Sequence, residues 1–218
     1  VTRKLAGSFA RAESLSAELA RTNKAMKRFV PEEFMAFLGK SSVEQVRLGD
    51  HSRQEMAVMF ADIRSFTTLS ERLSPEDSFR FINQYLARMG PTIRANGGFV
   101  DKYMGDGIMA LFPGSPEDAA RCAIDMHMRL DEYNLQRQST GEAPIRIGIG
   151  IHWGGIMLGT IGENERMDGT VLSDAVNIAS RLEGVSKDFG VGVVASEAIL
   201  KGLADRGEYR TRYLGKVG

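Results

Sequence analysis

The chain has 218 residues, 43% of them hydrophobic and 26% charged, and its 28 basic and 28 acidic residues cancel. This size and composition predict one substantial folded domain with an appendage, and they exclude a disordered chain. Without net positive charge the chain lacks the attraction by which proteins bind nucleic-acid polymers or anionic membranes, so we expect neither partner.

Two sequence features bear on location. No stretch approaches the roughly 18 consecutive apolar residues of a membrane span, so we expect no direct membrane insertion. The single cysteine, Cys122, can form no internal disulfide, which fits a reducing cytoplasm, and we interpret it as a small buried hydrophobe. Because the sequence starts at Val1 without methionine, we expect a piece of a longer protein. Whether that parent is tethered to a membrane is left open.

Residues 1–29 are prone to form a helix. Apolar residues recur seven positions apart, with two more in the other seam position of the heptad: Leu5, Ala12, Leu19 and Met26, then Leu15 and Phe29. This pattern fits either a helix packed on its own domain or a parallel two-stranded linker from an upstream sensor module. A separate folded domain is expected over residues 30–218.

Two acidic residues fall where predicted strands end. Residues 57–63 form a short apolar run typical of a buried strand, and its one interior charge is Asp62. Residues 97–112 predict a β-hairpin whose tight turn carries Asp106 between two glycines. An aspartate in this setting is often only a turn residue. If the strands are neighbours, however, Asp62 and Asp106 converge into an all-oxygen site suited to Mg²⁺ or Mn²⁺, and such sites serve phosphoryl transfer.

The remaining pattern completes an α+β fold. Residues 63–66 lead into a helix whose first N–H groups are unpaired, which predicts a phosphate cradle. Serine caps predict helices beginning near Ser74, Ser115 and Ser173. Further strands are predicted over residues 145–152, 156–161, 191–194 and 209–214, with a helix over residues 196–203. The order is that of a ferredoxin-like βαββαβ core with additional strands and helices.

Four motifs, in this order, resemble the catalytic domain of class III nucleotidyl cyclases, especially bacterial and cyanobacterial adenylate cyclases. They are the strand FADIRSFT at residues 60–67, the hairpin KYMGD at 102–106, the strand IGIH at 149–152 and the helix VNIASRLE at 176–183. The likeness covers the chain from about Phe29 onward. It implies a cyclase fold preceded by a helical linker.

The resemblance also implies a reaction and its metal ligands. In such enzymes the ribose 3′-hydroxyl of ATP attacks its own α-phosphorus and expels pyrophosphate. Asp62, Asp106 and the Ile63 carbonyl would hold two Mg²⁺ ions, or Mn²⁺ in their place. On the predicted helix, Asn177 and Arg181 are four apart and share one face. Asn177 would orient the ribose, and Arg181 would stabilise charge on the α-phosphate.

Base selection is implied at two more positions. Lys102 can only donate a hydrogen bond and would meet N1 of adenine, whereas the Thr170 hydroxyl can accept one from N6. This favours ATP over GTP. The phosphate cradle would be formed by four consecutive residues, Arg64, Ser65, Phe66 and Thr67.

In this family the metal-binding and the ribose-binding residues face each other across a dimer interface. Because one chain carries both sets, a homodimer with two equivalent shared sites is expected. Three alternatives remain open: a guanylate cyclase, a catalytically silent nucleotide-binding module, and an RNA-binding domain on the same βαββαβ frame.

Overall fold

The computed structural model describes residues 11, 13–22, 25, 31–163 and 165–216. The helices that position the site are α1 (Glu32–Phe37), α2 (Phe66–Ser70), α3 (Pro75–Ala95), α4 (Pro116–Ser139), α5 (Asp174–Asp188) and α6 (Glu197–Lys201). Short 3₁₀ turns lie at Val43–Gln45 and Arg206–Glu208.

The long helices begin where the sequence predicts. The hydroxyls of Ser74 and Ser115 accept hydrogen bonds from backbone N–H groups three residues on, at 3.0 and 3.2 Å, and each serine precedes a proline. Ser173 caps α5 in the same way through the N–H of Ala175. Each cap satisfies an N–H group that the first turn leaves unpaired, which fixes the helix start.

Six strands form one sheet: β1 (His51–Ile63), β2 (Phe99–Met104), β3 (Gly107–Phe112), β4 (Ile147–Gly162), β5 (Met167–Leu172) and β6 (Val193–Ala195). Their order is β2-β3-β1-β4-β5, and β6 pairs in parallel with β4 beyond the end of β5. Strand β1 pairs antiparallel with both β3 and β4. Strands β1 and β3 are therefore the two central strands of the βαββαβ core and lie side by side. The predicted α+β, ferredoxin-like fold is confirmed.

The structure differs from the sequence prediction in three places. Residues 147–162 form one continuous strand in place of the two predicted over 145–152 and 156–161, because Gly154 and Gly155 stay in the β4 ladder opposite β1. A polar loop is predicted over residues 162–169, but residues 167–172 form β5 along the end of β4. Residues 209–214, predicted as a strand, have no regular secondary structure.

The sheet is covered on both faces. Alternate β1 residues, including Met59, pack against α3 and α4 in the larger apolar cluster, whereas those between them, including Val58, join a smaller cluster with α1 and α5. Phe99 of β2 and Val171 of β5 both belong to this smaller cluster. The smaller cluster therefore extends across the sheet from β2 to β5.

Helix α5 lies unusually close to the sheet. A Cβ atom at Gly150 of β4 would overlap the backbone of α5 at Ala179 and Glu183. The missing side chain therefore sets the distance between the helix and the strand beneath it.

The predicted heptad is mostly outside the described residues. Leu15 and Leu19 lie on a helix with about two thirds of each side chain exposed, whereas Leu5, Ala12, Met26 and Phe29 are not described. The linker interpretation thus stays a prediction. Among the described helices none combines the length and apolar character required to cross a bilayer.

Candidate active site

Asp62 and Asp106 meet at one end of the sheet. Asp62 is the penultimate residue of β1, and Asp106 occupies the two-residue turn between β2 and β3, where Gly105 has a φ of +66°. That positive φ is the conformation that a tight hairpin turn needs and glycine supplies at no steric cost. The backbone N–H of Ile63 donates a hydrogen bond to Oδ2 of Asp106 at 3.2 Å. The predicted convergence is therefore present, and Asp106 is half-buried rather than exposed as its turn position suggested.

The electrostatics of this carboxylate pair favour a bound cation. Burial, followed by hydrogen bonding and like-charge repulsion from Asp62, raises the pKa of Asp106 from 3.8 to about 7. Two carboxylates held this close cannot both ionise easily unless a positive charge neutralises them. Their oxygens are the ligands that Mg²⁺ and Mn²⁺ prefer. Within the described residues no group of three or more His, Cys, Asp or Glu side chains could hold a metal, so further ligands would be backbone or substrate oxygens.

Tyr85 of α3 lies in the core near the carboxylate pair. Its side chain is fully buried, and its hydroxyl has no hydrogen-bond partner in the described structure. Burial, with a smaller contribution from the charges of Asp62 and Asp106, raises the pKa of this hydroxyl far above its usual range. Tyr85 is thus a neutral wall of the site, and the sequence analysis did not single it out.

The predicted phosphate cradle begins with a strained residue. Ser65, the N-cap of α2, has a φ of +58°, which is the one positive φ of a non-glycine residue among the described residues. Such a conformation costs roughly 1–3 kcal/mol and is concentrated at functional sites. Ser65 and Thr67 are exposed, while Phe66 stacks on Phe81 with ring centroids 6.1 Å apart. The contact of Phe66 with Phe81 therefore fixes the N-terminal end of α2 against α3.

Arg64 has a different environment from the rest of the cradle. Its guanidinium forms an ion pair with Glu183 of α5 at 2.8 Å and donates to the Ser186 hydroxyl. It passes over Gly148, where a Cβ atom would overlap it. The side chain thus ties β1 to α5, and its predicted role in substrate binding stays a prediction. Glu183 is the last residue of the helix motif at residues 176–183, and sequence reasoning assigned it no role.

The predicted base-selecting residues lie on two different strands. Lys102 is on β2, and its ammonium lies 3.3 Å from Oδ2 of Asp101. Thr170 is on β5, half-buried, and pairs with Gly159 of β4. Both strands contribute a residue to the smaller apolar cluster, Phe99 from β2 and Val171 from β5. Sequence reasoning did not single out Asp101, because nothing in the local pattern marks its contact with Lys102.

Asn177 and Arg181 project from the outer face of α5. Both are exposed, whereas Ala175, Ala179 and Leu182 pack that helix onto the sheet. At about 100° per residue, Asn177 lies roughly opposite Ala175 around the helix axis. The shared face predicted for Asn177 and Arg181 is present, and it points away from the sheet of its own chain. Within one chain, their face and the carboxylate pair are therefore not brought into one pocket.

Cys122 is completely buried, as predicted, and burial raises the pKa of its thiol to about 12. A thiol of that kind is a packing group and not a nucleophile.

Comparison with known proteins identifies the family that shares this arrangement. Residues 49–217 match the family model for the adenylate and guanylate cyclase catalytic domain. An adenylate cyclase of Anabaena cylindrica is 40% identical over 204 residues, which cover 91% of this chain and 41% of that protein. Adenylate cyclase 1 of Rhizobium meliloti (strain 1021) is 32% identical over 89% of this chain and 31% of its own length. The chain thus spans less than half of these curated relatives.

Solved structures agree with the sequence comparison. A bacterial light-regulated adenylyl cyclase superposes with a TM-score of 0.79 at 25% identity, covering 91% of this chain and 59% of that one. The guanylyl cyclase Cya2 gives a TM-score of 0.64 at 32% identity over 73% of this chain and 82% of its own. With its paired carboxylates at the expected hairpin, the chain belongs to the adenylate and guanylate cyclase catalytic domain family.

Proposed function

We propose that this domain is an adenylate cyclase, which converts ATP into 3′,5′-cyclic AMP and pyrophosphate at sites shared by two copies of the chain. The observation that carries the proposal is the convergence of Asp62 and Asp106, where burial and, after it, the hydrogen bond and like charge of Asp62 raise the pKa of Asp106 to about 7. Relatives named adenylate cyclase, at 40% and 32% identity, support the same reaction.

Asp62, Asp106 and the Ile63 carbonyl would hold two Mg²⁺ ions, or Mn²⁺ in their place. When bound, these ions would supply Lewis-acid chemistry that lowers the pKa of the 3′-hydroxyl and neutralises phosphate charge. In the reaction the O3′–Pα bond forms, the bond from Pα to the bridging oxygen of pyrophosphate breaks, and the hydroxyl proton leaves to solvent. The hydrogen bond from Ile63 to Asp106 orients the second carboxylate before substrate arrives.

The exposed face of α5 would act on the substrate held by the other copy. Arg181 presents a fixed fork of N–H donors suited to the oxygens of the α-phosphate, and Asn177 would orient the ribose. Removal of one such transition-state donor commonly costs ~10²–10³ in rate. The first residues of α2, with Ser65, Phe66 and Thr67, would receive the terminal phosphates at their free N–H groups, beside Arg64.

Two surface features support assembly with a second copy. Asn177 and Arg181 face away from their own sheet, so a partner must supply the carboxylates that complete the site. Exposed apolar side chains also cluster where the β4–β5 hairpin adjoins α5, since Met157, Leu172 and Ile178 line one cavity. An exposed cluster of this kind marks an interaction surface.

Base choice would follow from hydrogen-bond chemistry. The Lys102 ammonium only donates, which suits the N1 acceptor of adenine and opposes the N1–H of guanine. Thr170 would accept from the adenine N6 amino group. A guanylate cyclase remains the second candidate, because Cya2, a guanylyl cyclase, is 32% identical over most of the domain.

The test mixes two inactive variants, Asp62→Ala and Arg181→Ala, and identifies the products formed from ATP and from GTP. With free exchange, half of the dimers are mixed and each has one intact site, so about a quarter of wild-type cyclic AMP formation should return. A mixture that stays inactive after exchange has been demonstrated would refute shared sites. Cyclic GMP as the main product would favour the guanylate cyclase.

A further inference from the structure

Strand β2 contains a β-bulge next to the base-selecting lysine. Val100 pairs with Ala110 and Lys102 pairs with Met109, so Asp101 is an extra residue with no partner of its own on β3. In a regular strand, neighbouring side chains point to opposite faces, and residues 101 and 102 could not meet. A bulge breaks this alternation and re-aims the side chains beside it. The bulge therefore makes a contact between adjacent residues possible.

The two side chains that meet there differ sharply in exposure. The Asp101 side chain is 3% exposed, the Lys102 side chain is 39% exposed, and Nζ of Lys102 lies 3.3 Å from Oδ2 of Asp101. That oxygen is shielded from solvent and accepts no well-aligned hydrogen bond from the described residues. A buried carboxylate with so little compensation is costly, and the neighbouring cation lowers that cost. Burial raises the pKa of Asp101, and the neighbouring ammonium of Lys102 opposes that shift, so the protein holds a buried carboxyl group directly beside the lysine.

We propose that Asp101 is the positioning residue that fixes Lys102 for recognition of the purine base. This inference rests on the function proposed above and deepens it, because it concerns the same site. Lysine has a flexible four-carbon stem, and its ammonium would otherwise sample many rotamers. The contact with Asp101 occupies one side of the ammonium and leaves its remaining N–H groups directed toward solvent, where the base would lie.

The position in which Asp101 holds Lys102 also bears on base choice. An ammonium group has three hydrogen-bond donors and no acceptor. A group of that kind can pair with the N1 acceptor of adenine but not with the N1–H of guanine. Asp101 would therefore contribute to discrimination between ATP and GTP through Lys102, without itself touching the nucleotide.

The experiment is a double-mutant cycle on Asp101→Asn and Lys102→Ala. Two readouts are measured for each variant: kcat and KM with ATP and with GTP, and binding of fluorescent N-methylanthraniloyl derivatives of both nucleotides. We expect Asp101→Asn to raise KM for ATP about tenfold and to reduce the preference for ATP over GTP by a similar factor, with little change in kcat. In the Lys102→Ala background, Asp101→Asn should change neither KM for ATP nor the preference for ATP over GTP.

Controls separate positioning from stability. Asp118→Asn removes an acid from the capping box of α4, so it should lower stability while leaving the nucleotide preference unchanged. Should Asp101→Asn not fold, Asp101→Ser serves in the same cycle. If Asp101→Asn leaves the preference for ATP unchanged while Lys102 is intact, or reduces it equally with and without Lys102, the proposal is overturned.

The binding readout keeps the two proposals apart. If the wild-type protein forms no cyclic nucleotide, the proposed function fails. The preference for the adenine derivative in binding still tests the role of Asp101, because it requires no turnover.

Discussion

The backbone N–H of Ile63 donates to Oδ2 of Asp106 at 3.2 Å, although the residues are 43 positions apart in sequence. This bond joins the end of β1 to the tip of the β2–β3 hairpin. It holds the second carboxylate beside Asp62 by a protein contact. Burial, and after it the hydrogen bond and like charge of Asp62, raise the pKa of Asp106, and this shift makes several properties of the domain measurable.

Asp106→Asn should abolish catalysis and yet stabilise the metal-free protein. We expect activity to fall at least ~10²-fold, since a metal ligand is lost. The folded-state pKa of Asp106, about 7, lies above its ordinary value of 3.8, so the folded protein binds more protons than the unfolded chain between these values. Wild-type stability should therefore decline as pH rises through this range, whereas the variant lacks that decline.

Thermal unfolding of both proteins in excess chelator, at about pH 5 and about pH 8, gives the measurement. The melting temperature of Asp106→Asn should exceed that of the wild type mainly at the higher pH. An Asp106→Asn variant that is less stable than the wild type at both pH values would contradict the raised pKa of Asp106.

Divalent-ion binding should depend on pH with a defined sign. Below a pKa of about 7 the Asp106 carboxyl carries a proton that a metal must displace. The apparent dissociation constant for Mg²⁺ should rise about tenfold for each unit of pH below that value. Calorimetric titration in two buffers of different ionisation enthalpy should detect nearly one proton released per ion at about pH 6. Absence of proton release there would mean that Asp106 is already ionised.

Glu183→Gln should weaken the fold through Arg64. The ion pair at 2.8 Å is mostly buried, and the amide would leave the guanidinium without its counter-charge. We expect the free energy of unfolding to fall by about 1–3 kcal/mol, measured by urea denaturation. Ser180→Ala, at an exposed position of the same helix, should change it by less than about 0.5 kcal/mol. Equal effects of the two substitutions would show that the ion pair contributes nothing.

Two glycines should respond to alanine in opposite directions. At Gly150 the added methyl group would overlap the backbone of α5, so Gly150→Ala should destabilise the domain, at the upper end of roughly 1–3 kcal/mol. Gly184 lies inside α5 with open space around it, so Gly184→Ala should stabilise the domain by about 0.5–1 kcal/mol. Chemical denaturation of both variants tests this pair, and a shift of the same sign in both would contradict the close packing at Gly150.

Local chemistry made much of this fold predictable from sequence. The glycines around Asp106 and the apolar alternation beside them indicated the hairpin, and a serine followed by a proline marked the starts of α3 and α4. Long-range geometry was less accessible. Gly154 and Gly155 resemble a break between strands, but in the structure they lie within β4, where Cβ atoms would press against Glu55, His152 and Ala175. Strand β5 is exposed on most positions and carries no apolar alternation to read.

The contacts of the site also separate into those that local sequence predicts and those that depend on long-range geometry. Asp62 and Asp106 follow from strand ends and a turn, which are local features. The contact of Asp101 with Lys102 depends on a bulge that only pairing with β3 reveals, and the ion pair of Arg64 depends on a helix more than a hundred residues away. The roles assigned to Lys102, Thr170, Asn177 and Arg181 stay predictions, and the variants of Lys102 and Arg181 described above test two of them.

The bridge from Arg64 to Glu183 has a mechanical consequence for the proposed dimer. Within each subunit it fastens the strand that bears Asp62 to the helix that bears Arg181. Those two residues would serve different catalytic centres, one on either side of the molecular two-fold axis. Closure of α5 over a nucleotide at one centre would thus pull on the proposed metal ligands of the other, and the bridge would supply a direct route for cooperativity between the two halves of the proposed dimer.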